Sequence, residues 1–338
     1  MLYNDDGASR NVIRRARRAA KTIQKQGLNF YVQNFSYKLL RNYFNLQRGK
    51  VRFTRPVWRE VNFKALEIEG SARVLLNPLD EGFSKEFYVY GFREPLNTFA
   101  IFNSVAKAKP VVLDIGGNLG YFPLVEHEAG AEKVIALEPL PSTFSFLSKT
   151  LKGFEQLETM NVAISDGPDF LKLYSTNERN VTSFSKSILT AHGHSVSEEI
   201  SARAVTLYDL ADKNPIEMIR MDIEGYEYHI LANPLPDKIK TVCMELHVMP
   251  PDTPNKIQAI ELLKKLNEQS FRVSVAINEM IYGYYPIVQH VGLKTAYKIV
   301  TSLNSLSRYC PRVQVNPSLK ELSDMIPEKG QIHLILQR

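Results

Sequence analysis

The chain of 338 residues contains two cysteines, one tryptophan and no uninterrupted apolar run near the length of a membrane-spanning helix. A helical span needs about 18 consecutive apolar residues, so none is expected. Cys243 falls in an expected buried strand and Cys310 in a distant segment, which argues against a disulfide framework. The opening Met1-Leu2-Tyr3-Asn4-Asp5-Asp6 lacks the charged-then-apolar pattern of a secretory signal. The expected location is cytoplasmic, with peripheral attachment at the inner membrane surface as a variant. Also missing is G-x-G-x-x-G, the fingerprint that aims a helix N-terminus at a pyrophosphate. A dinucleotide is therefore not the expected ligand.

The chain does have 44% hydrophobic residues, enough for a substantial core, and an uneven charge. Residues 1–55 carry 13 Lys or Arg against Asp5 and Asp6, whereas the remainder holds 29 basic and 34 acidic residues. A basic arm thus precedes a slightly acidic body, the pattern of an interaction segment. Val12, Ile13, Ala16, Ala19, Ala20 and Ile23 recur at helical spacing among seven basic residues from Arg10 to Lys25. A second candidate helix places Leu28, Tyr31, Val32, Phe35, Leu39, Tyr43 and Leu46 on one face. Basic charge with large apolar side chains suits an anionic membrane surface through residues 8–46. An RNA backbone and the chain's own catalytic domain are the other partners such an arm could meet.

The stretch Asp114-Ile115-Gly116-Gly117-Asn118-Leu119-Gly120 follows the apolar run Val111-Val112-Leu113. That run suits a buried parallel strand, the glycines permit a tight turn and close backbone approach, and residues 119–129 read as the next helix. Ligands of open α/β sheets sit beyond the carboxyl ends of the strands, where strand order reverses. A carboxylate there repels a pyrophosphate but favours the sulfonium and ammonium of S-adenosylmethionine. The alternative is a strand-to-helix turn with no ligand. Lys133-Val134-Ile135-Ala136-Leu137-Glu138-Pro139 reads as the next strand, and Glu138, 24 residues after Asp114, is placed to accept from ribose hydroxyls.

Further strands are expected at 157–164, 216–221, 241–246, 271–277 and 332–336, with helices at 142–151, 226–232 and 256–269 between them. Such alternation argues for a doubly wound, mostly parallel α/β sheet. Residues 1–50 are read as a helical arm and 51–105 as a β/α cap, with a hairpin at 64–68 and 72–76 and a helical stretch at 86–105 broken near Gly91 and Pro95. Residues 106–338 form the main domain, with an insert at 280–331 that could supply a lid helix at 288–306 and stack Tyr282, Tyr284 and Tyr285 on a sugar or lipid.

The ordered set Val111 to Phe122, Ala136-Leu137-Glu138-Pro139, Asn161-Val162-Ala163-Ile164-Ser165-Asp166, Met221-Asp222-Ile223-Glu224-Gly225-Tyr226-Glu227 and Met244-Glu245-Leu246-His247 resembles the FkbM-type methyltransferases over residues 85–280. The resemblance implies a seven-stranded class I methyltransferase fold with the last strand antiparallel, S-adenosylmethionine as cofactor, and acceptors such as sugar or polyketide hydroxyls. It implies that Asp114, Gly116 and Gly120 hold the methionine part, with Gly117, Asn118 and Tyr121 beside them. Glu138 and Pro139 would hold the ribose, and Ala163, Ile164 and Asp166 the adenine. Asp222 completes that set. Gly117 departs from a frequent alanine, and Met221 stands for a frequent lysine, which would remove a charge near the site.

His247, Asp222 and Glu224 are the candidate catalytic residues, since a hydroxyl acceptor gains from a nearby base and the ordinary histidine range suits proton transfer near neutrality. No metal is expected: Asp222, Glu224, Glu245 and His247 could converge, but their spacing does not require it, and His192 with His194 lacks a third ligand. The Asn180-Val181-Thr182 sequon carries little weight in an intracellular chain. Transfer of methyl to a glycan or glycolipid hydroxyl is the leading expectation. An RNA methyltransferase recruited by the basic arm and a nonenzymatic nucleoside-binding module are the alternatives.

Overall fold

The computed structural model describes residues 19–21, 24, 28–167, 169–176, 182–191, 195–248, 254–279, 284–304 and 311–338. Its organising layer is a sheet of eight strands, numbered along the chain: β1 (Val111–Ile115), β2 (Lys133–Leu137), β3 (Leu157–Met160), β4 (Met218–Met221), β5 (Thr241–Val248), β6 (Arg272–Asn278), β7 (Arg312–Val315) and β8 (Gly330–Gln337). The spatial order is β7-β6-β8-β5-β4-β1-β2-β3. Every residue of β1, β4 and β5 is buried, which explains why they read as continuous apolar runs with helices on both faces. β1 pairs in parallel with β2 and β4, and β8 runs antiparallel to both β5 and β6. Strand order reverses between β1 and β4, opening a crevice beyond their carboxyl ends.

One side of the sheet is covered by helices Tyr121–Glu128 and Pro141–Thr150, whose Tyr121, Leu124 and Leu147 join one core cluster. The other side carries Leu207–Lys213, Lys256–Glu268 and Leu319–Met325, whose Leu210, Leu263 and Leu322 join a second. Asn255 and Gln258 close a capping box at the start of Lys256–Glu268, satisfying two backbone donors reciprocally.

Several expectations are corrected. The sheet has eight strands, because β7, inside the presumed insert, pairs antiparallel with β6; its residues are mostly exposed, so no apolar run marks it. The hairpin pairs Val57–Glu60 with Arg73–Leu76. Residues 63–66 form a helical turn instead of a strand, nucleated by Asn62, whose Oδ1 accepts from Ala65 N at 3.2 Å. The stretch 157–164 divides into β3 and Ala163–Ser165, the latter in a separate four-stranded sheet with Val196–Thr206, Phe170–Thr176 and Thr182–Ser183. The expected break in the 86–105 helical stretch is found: Phe83–Tyr90 and Pro95–Ala108 are separate helices. Gly91 sits between them at φ +72, where a Cβ would meet Glu60 O at 2.9 Å.

The described residues of the 280–331 segment lie against the N-terminal cap rather than the crevice. Its helices Tyr285–Val291 and Leu293–Asn304 pack on the N-terminal cap. Tyr284 and Tyr285 are fully buried, and Tyr285 Oη accepts from Glu94 N at 2.7 Å. Their rings are core, unavailable to a sugar or lipid. Helix Leu28–Lys50 docks through Phe44, stacked on Tyr90 at 5.4 Å and edge-on to Tyr285 at 5.6 Å. Phe35, Leu39, Tyr43 and Leu46 on that helix are exposed. Most of the candidate helix before Gln26, Tyr282, the histidines 192 and 194, Asn180 and Cys310 lie outside the described residues.

Replacing Phe44 with alanine should cost about 3–5 kcal/mol locally, the usual range for a buried aromatic ring. Amide exchange should show protection falling across residues 28–50 while β1 keeps its own.

Candidate active site

The glycine turn after β1 is held against two neighbours. Gly116 N and Gly117 N both donate to Leu137 O at the end of β2, at 3.0 and 2.8 Å. On the other side a Cβ at Gly116, where φ is +88, would fall 2.3 Å from Asp222 O after β4. Only glycine permits that approach. A cleft of about 770 Å³, counting space open to solvent, lies over this junction. Its floor includes Ile115, Gly116, Asn118, Leu137 and Glu138, and its far rim Asp222, Glu224 and Tyr226.

Of the residues expected at the site, Pro139, Ala163 and Ile164 also line the cleft. Asp114, Gly117, Gly120, Tyr121, Asp166 and His247 do not. Asp114 is fully buried behind the turn. Gly117 and Gly120 make room for the Pro141–Thr150 helix: Cβ atoms there would meet Leu147 at 3.4 Å and Thr150 at 3.0 Å. Tyr121 is core, its hydroxyl 3.1 Å from Thr98 Oγ1 and its ring edge-on to Phe87 and Phe122. Asp166 is exposed and accepts from Tyr226 Oη at 3.0 Å, so it positions a wall residue.

Arg220, absent from the sequence-based set, occupies the centre. It is 5% exposed, with Nη1 3.6 Å from Asp114 Oδ1 and 3.2 Å from Gly116 O. Its Nη2 lies 3.2 Å from Asp222 Oδ2, and its guanidinium lies 4.1 Å from the Phe122 ring centroid. Met221 is wholly buried, so its replacement of lysine removes no charge from the site; Arg220 supplies that charge from the opposite face of β4. Burial pushes the Asp114 carboxyl up to about 6, with Arg220 opposing. Burial and Asp114 together push Glu126, directly behind, well above the carboxylate range. Burial also acts to raise Asp222, but Arg220 and His247 outweigh it and hold this carboxyl below its ordinary value.

Glu138 accepts from Asn118 N at 3.1 Å and Leu140 N at 2.9 Å, one bond per oxygen. Each oxygen keeps a lone pair for a further donor. Asn118, at φ +49, has a buried Oδ1 with no hydrogen-bond partner. The opposite wall is apolar, made by Val162, Leu171, Leu173 and Phe184. Leu171, Leu173 and Phe184 were not anticipated. The alternation Phe170-Leu171-Lys172-Leu173-Tyr174 was the available signal for that strand.

His247 is 1% exposed, with Nδ1 3.0 Å from Glu227 Oε1 and Nε2 3.3 Å from Glu224 Oε2. Burial disfavours its charge, but Glu227 and Glu224 prevail and raise its pKa well above the ordinary histidine range. The two glutamates therefore favour the protonated ring, in contrast to the ordinary-range base expected from the sequence, and Nε2 faces Glu224. Glu227, fully buried and also unanticipated, is fixed by Ile223 N and Gly225 N, each 3.3 Å away. Glu224 holds φ +51, a conformation costing about 1–3 kcal/mol in a non-glycine residue. Such strain is retained where surrounding contacts impose it, and here it aims the carboxylate at the cleft. Asp222, Glu245 and His247 converge, each with a ligand atom within 4.8 Å of the others.

The pH behaviour of Glu138 gives a stability test. Burial, its main cause, holds the folded carboxyl at about 7 against an ordinary 4.5. The folded chain therefore keeps a proton that the unfolded chain releases, and stability falls as pH rises through that window. Glu138→Gln should remove this slope. Urea unfolding should show the variant gaining on the parent between about pH 5 and about pH 8.

A SAM-dependent methyltransferase from Agrobacterium tumefaciens is similar at 12% identity and TM-score 0.42, over 85% of this chain and 72% of that one. TYW2 of P. horikoshii, solved in complex with MeSAdo, is similar at 14% identity and TM-score 0.34, over 80% and 69%. No curated protein sequence matches the chain. The model of the methyltransferase FkbM domain matches residues 114–273, the span from the first carboxylate of the site into β6. The reversed strand order and the antiparallel β8 make the fold that of a class I methyltransferase, and residues 114–273 match the model of the methyltransferase FkbM domain.

Proposed function

We propose that this methyltransferase uses S-adenosylmethionine to methylate a hydroxyl of a glycan or glycolipid. The observation that carries the cofactor is the glycine cradle at Gly116, where a Cβ has no room, combined with the unpartnered Asn118 Oδ1 and the singly bonded oxygens of Glu138. These groups fit a polar aminoacyl and ribose portion, and the wall of Val162, Ile164, Leu171 and Phe184 fits an adenine face. When bound, S-adenosylmethionine supplies an electrophilic methyl carbon on a sulfonium. Asp114 does not meet that charge, because Arg220 neutralises it; the carboxylates that reach the cleft are Asp222, Glu224 and Glu138.

For the acceptor, Glu224 is the group to take the hydroxyl proton. His247 steadies that carboxylate through Nε2–H, and Glu227 anchors the imidazole from behind. This order of roles follows from the preference of His247 for its protonated form. Asp222, tied to Arg220, gives a fixed negative wall that orients the acceptor. Alignment of the two reactants and exclusion of water account for much of the acceleration expected in an in-line displacement.

The lipid-linked acceptor draws on helix Leu28–Lys50. Its Lys38, Arg41, Arg48 and Lys50 are unaccompanied by any acid, and its face opposite Phe44 exposes Leu39, Tyr43 and Leu46. RNA would use the charge but not the apolar stripe, whereas an anionic lipid surface uses both. Among the described residues no helix is long and apolar enough to cross a membrane, so contact would be peripheral.

Calorimetry should detect S-adenosylmethionine binding, weakened about tenfold or more by Glu138→Gln, which loses a charge-assisted hydrogen bond. Absence of binding to the parent chain would overturn the reading. Glu224→Gln should keep cofactor affinity but slow transfer about 10²–10⁴-fold. Labelled methyl should enter the lipid-extractable glycan fraction of a cell extract rather than RNA. Leu39→Glu with Leu46→Glu should release the protein from vesicles containing phosphatidylserine, and unchanged sedimentation would remove the membrane from the account.

A further inference from the structure

The carboxyl ends of β4 and β5 bring three ligand-type side chains to one point through strand register. Met221 lies opposite Met244, so Asp222, the next residue, comes beside Glu245. His247 follows Glu245 by two positions and therefore shares its face of β5. One ligand atom from each of Asp222, Glu245 and His247 lies within 4.8 Å of the other two. Surface acids often gather without purpose, but Glu245 and His247 are 6% and 1% exposed.

A feature outside the trio also bears on an ion: each of the three is held at one atom by a supporting partner that is not one of them. Arg220 Nη2 holds Asp222 Oδ2 at 3.2 Å. Gln331 Nε2, from β8, donates to Glu245 Oε1. Glu227 Oε1 takes His247 Nδ1 at 3.0 Å and is itself pinned by two backbone amides. A carboxylate on one imidazole nitrogen is the usual support of a histidine that offers the other to a metal. Glu224 Oε2 accepts from His247 Nε2 at 3.3 Å; an ion would take the place of the shared proton, with Glu224, partly exposed, as a further oxygen ligand. Asp222 and Glu224 line the cleft, so a position facing the acceptor stays open.

We propose that Asp222, Glu245 and His247 form a binding site for a divalent cation of the Mg²⁺ and Mn²⁺ class, placed to draw the acceptor hydroxyl into the cleft. Two carboxylates with one imidazole suit hard to borderline cations, and the absence of thiolate argues against a softer ion. A cation there would bind the acceptor oxygen as a Lewis acid and make its proton easier to remove. The acceptor role rests on the methyl-transfer reading of the cleft; the cation site itself rests only on the three ligands and their supports.

The full chain, stripped with chelator, is titrated with Mn²⁺ alone while free Mn²⁺ is followed by electron paramagnetic resonance. Saturable binding at one ion per chain is expected. Asp222→Asn and Glu245→Gln should each weaken it at least about tenfold, and Glu227→Gln, acting through His247, about 10–100-fold. Glu321→Gln, in the remote Leu319–Met325 helix, should leave it unchanged. Thermal melts establish that each variant is folded; if the ligand variants do not fold, the parent titration decides alone. No saturable Mn²⁺ binding by the parent chain, or unaltered binding by folded Glu245→Gln, overturns the proposal. Calorimetry of S-adenosylmethionine on the same stripped protein separates the two readings. Cofactor binding without a Mn²⁺ site rejects the cation alone, and a Mn²⁺ site without cofactor binding supports the cation while rejecting the cofactor assignment.

Discussion

Arg220 is the charge on which the site is built. It is buried at the switch point of the sheet, where it neutralises Asp114 from β1, meets Asp222 beyond β4 and donates to the Gly116 carbonyl of the turn between them. Taking these ions out of water is costly, and only their mutual geometry offsets the cost. The same contacts close the gap between the two strands so tightly that Gly116 has no space for a side chain. Cleft floor, turn conformation and the ionised state of Asp222 therefore depend on one guanidinium.

A second charged group is stacked beside the first. His247 sits between Glu224 and Glu227, and that placement favours its protonated ring. Behind it, burial and Asp222 push the Glu245 carboxyl well above its ordinary value. The region thus carries more carboxyl groups than cations to pair with them. Such a region is primed for positively charged ligands, which is consistent with both a sulfonium cofactor and the proposed divalent ion.

The periphery obeys different physics. The N-terminal cap, the helix Leu28–Lys50 and the helices after Tyr284 share an aromatic cluster of Phe44, Tyr90, Phe92 and Tyr285. That cluster uses the tyrosines that a surface reading would give to an acceptor. The rim of the cleft is furnished by strand ends, with polar and ionic groups, while among the described residues the exposed aromatics are Phe35 and Tyr43 of the helix Leu28–Lys50 and the scattered Trp58, Tyr88, Phe170 and Tyr208.

The linear sequence was enough to determine the doubly wound sheet, since buried parallel strands must be short apolar runs and the helices between them must show a periodic face. It also determined the glycine turn and Glu138, because a tight strand-to-helix turn and an acidic strand end are local requirements. Tertiary structure alone decided what those residues do. Asp114 reads as a ligand carboxylate until Arg220, 106 residues later, is brought against it by strand pairing. His247 reads as a base until two glutamates close on both ring nitrogens, and Glu245 reads as an ordinary strand residue until register sets it beside Asp222. Local pattern reports which backbone a segment prefers, whereas ionisation depends on burial and on charges that only the fold brings together.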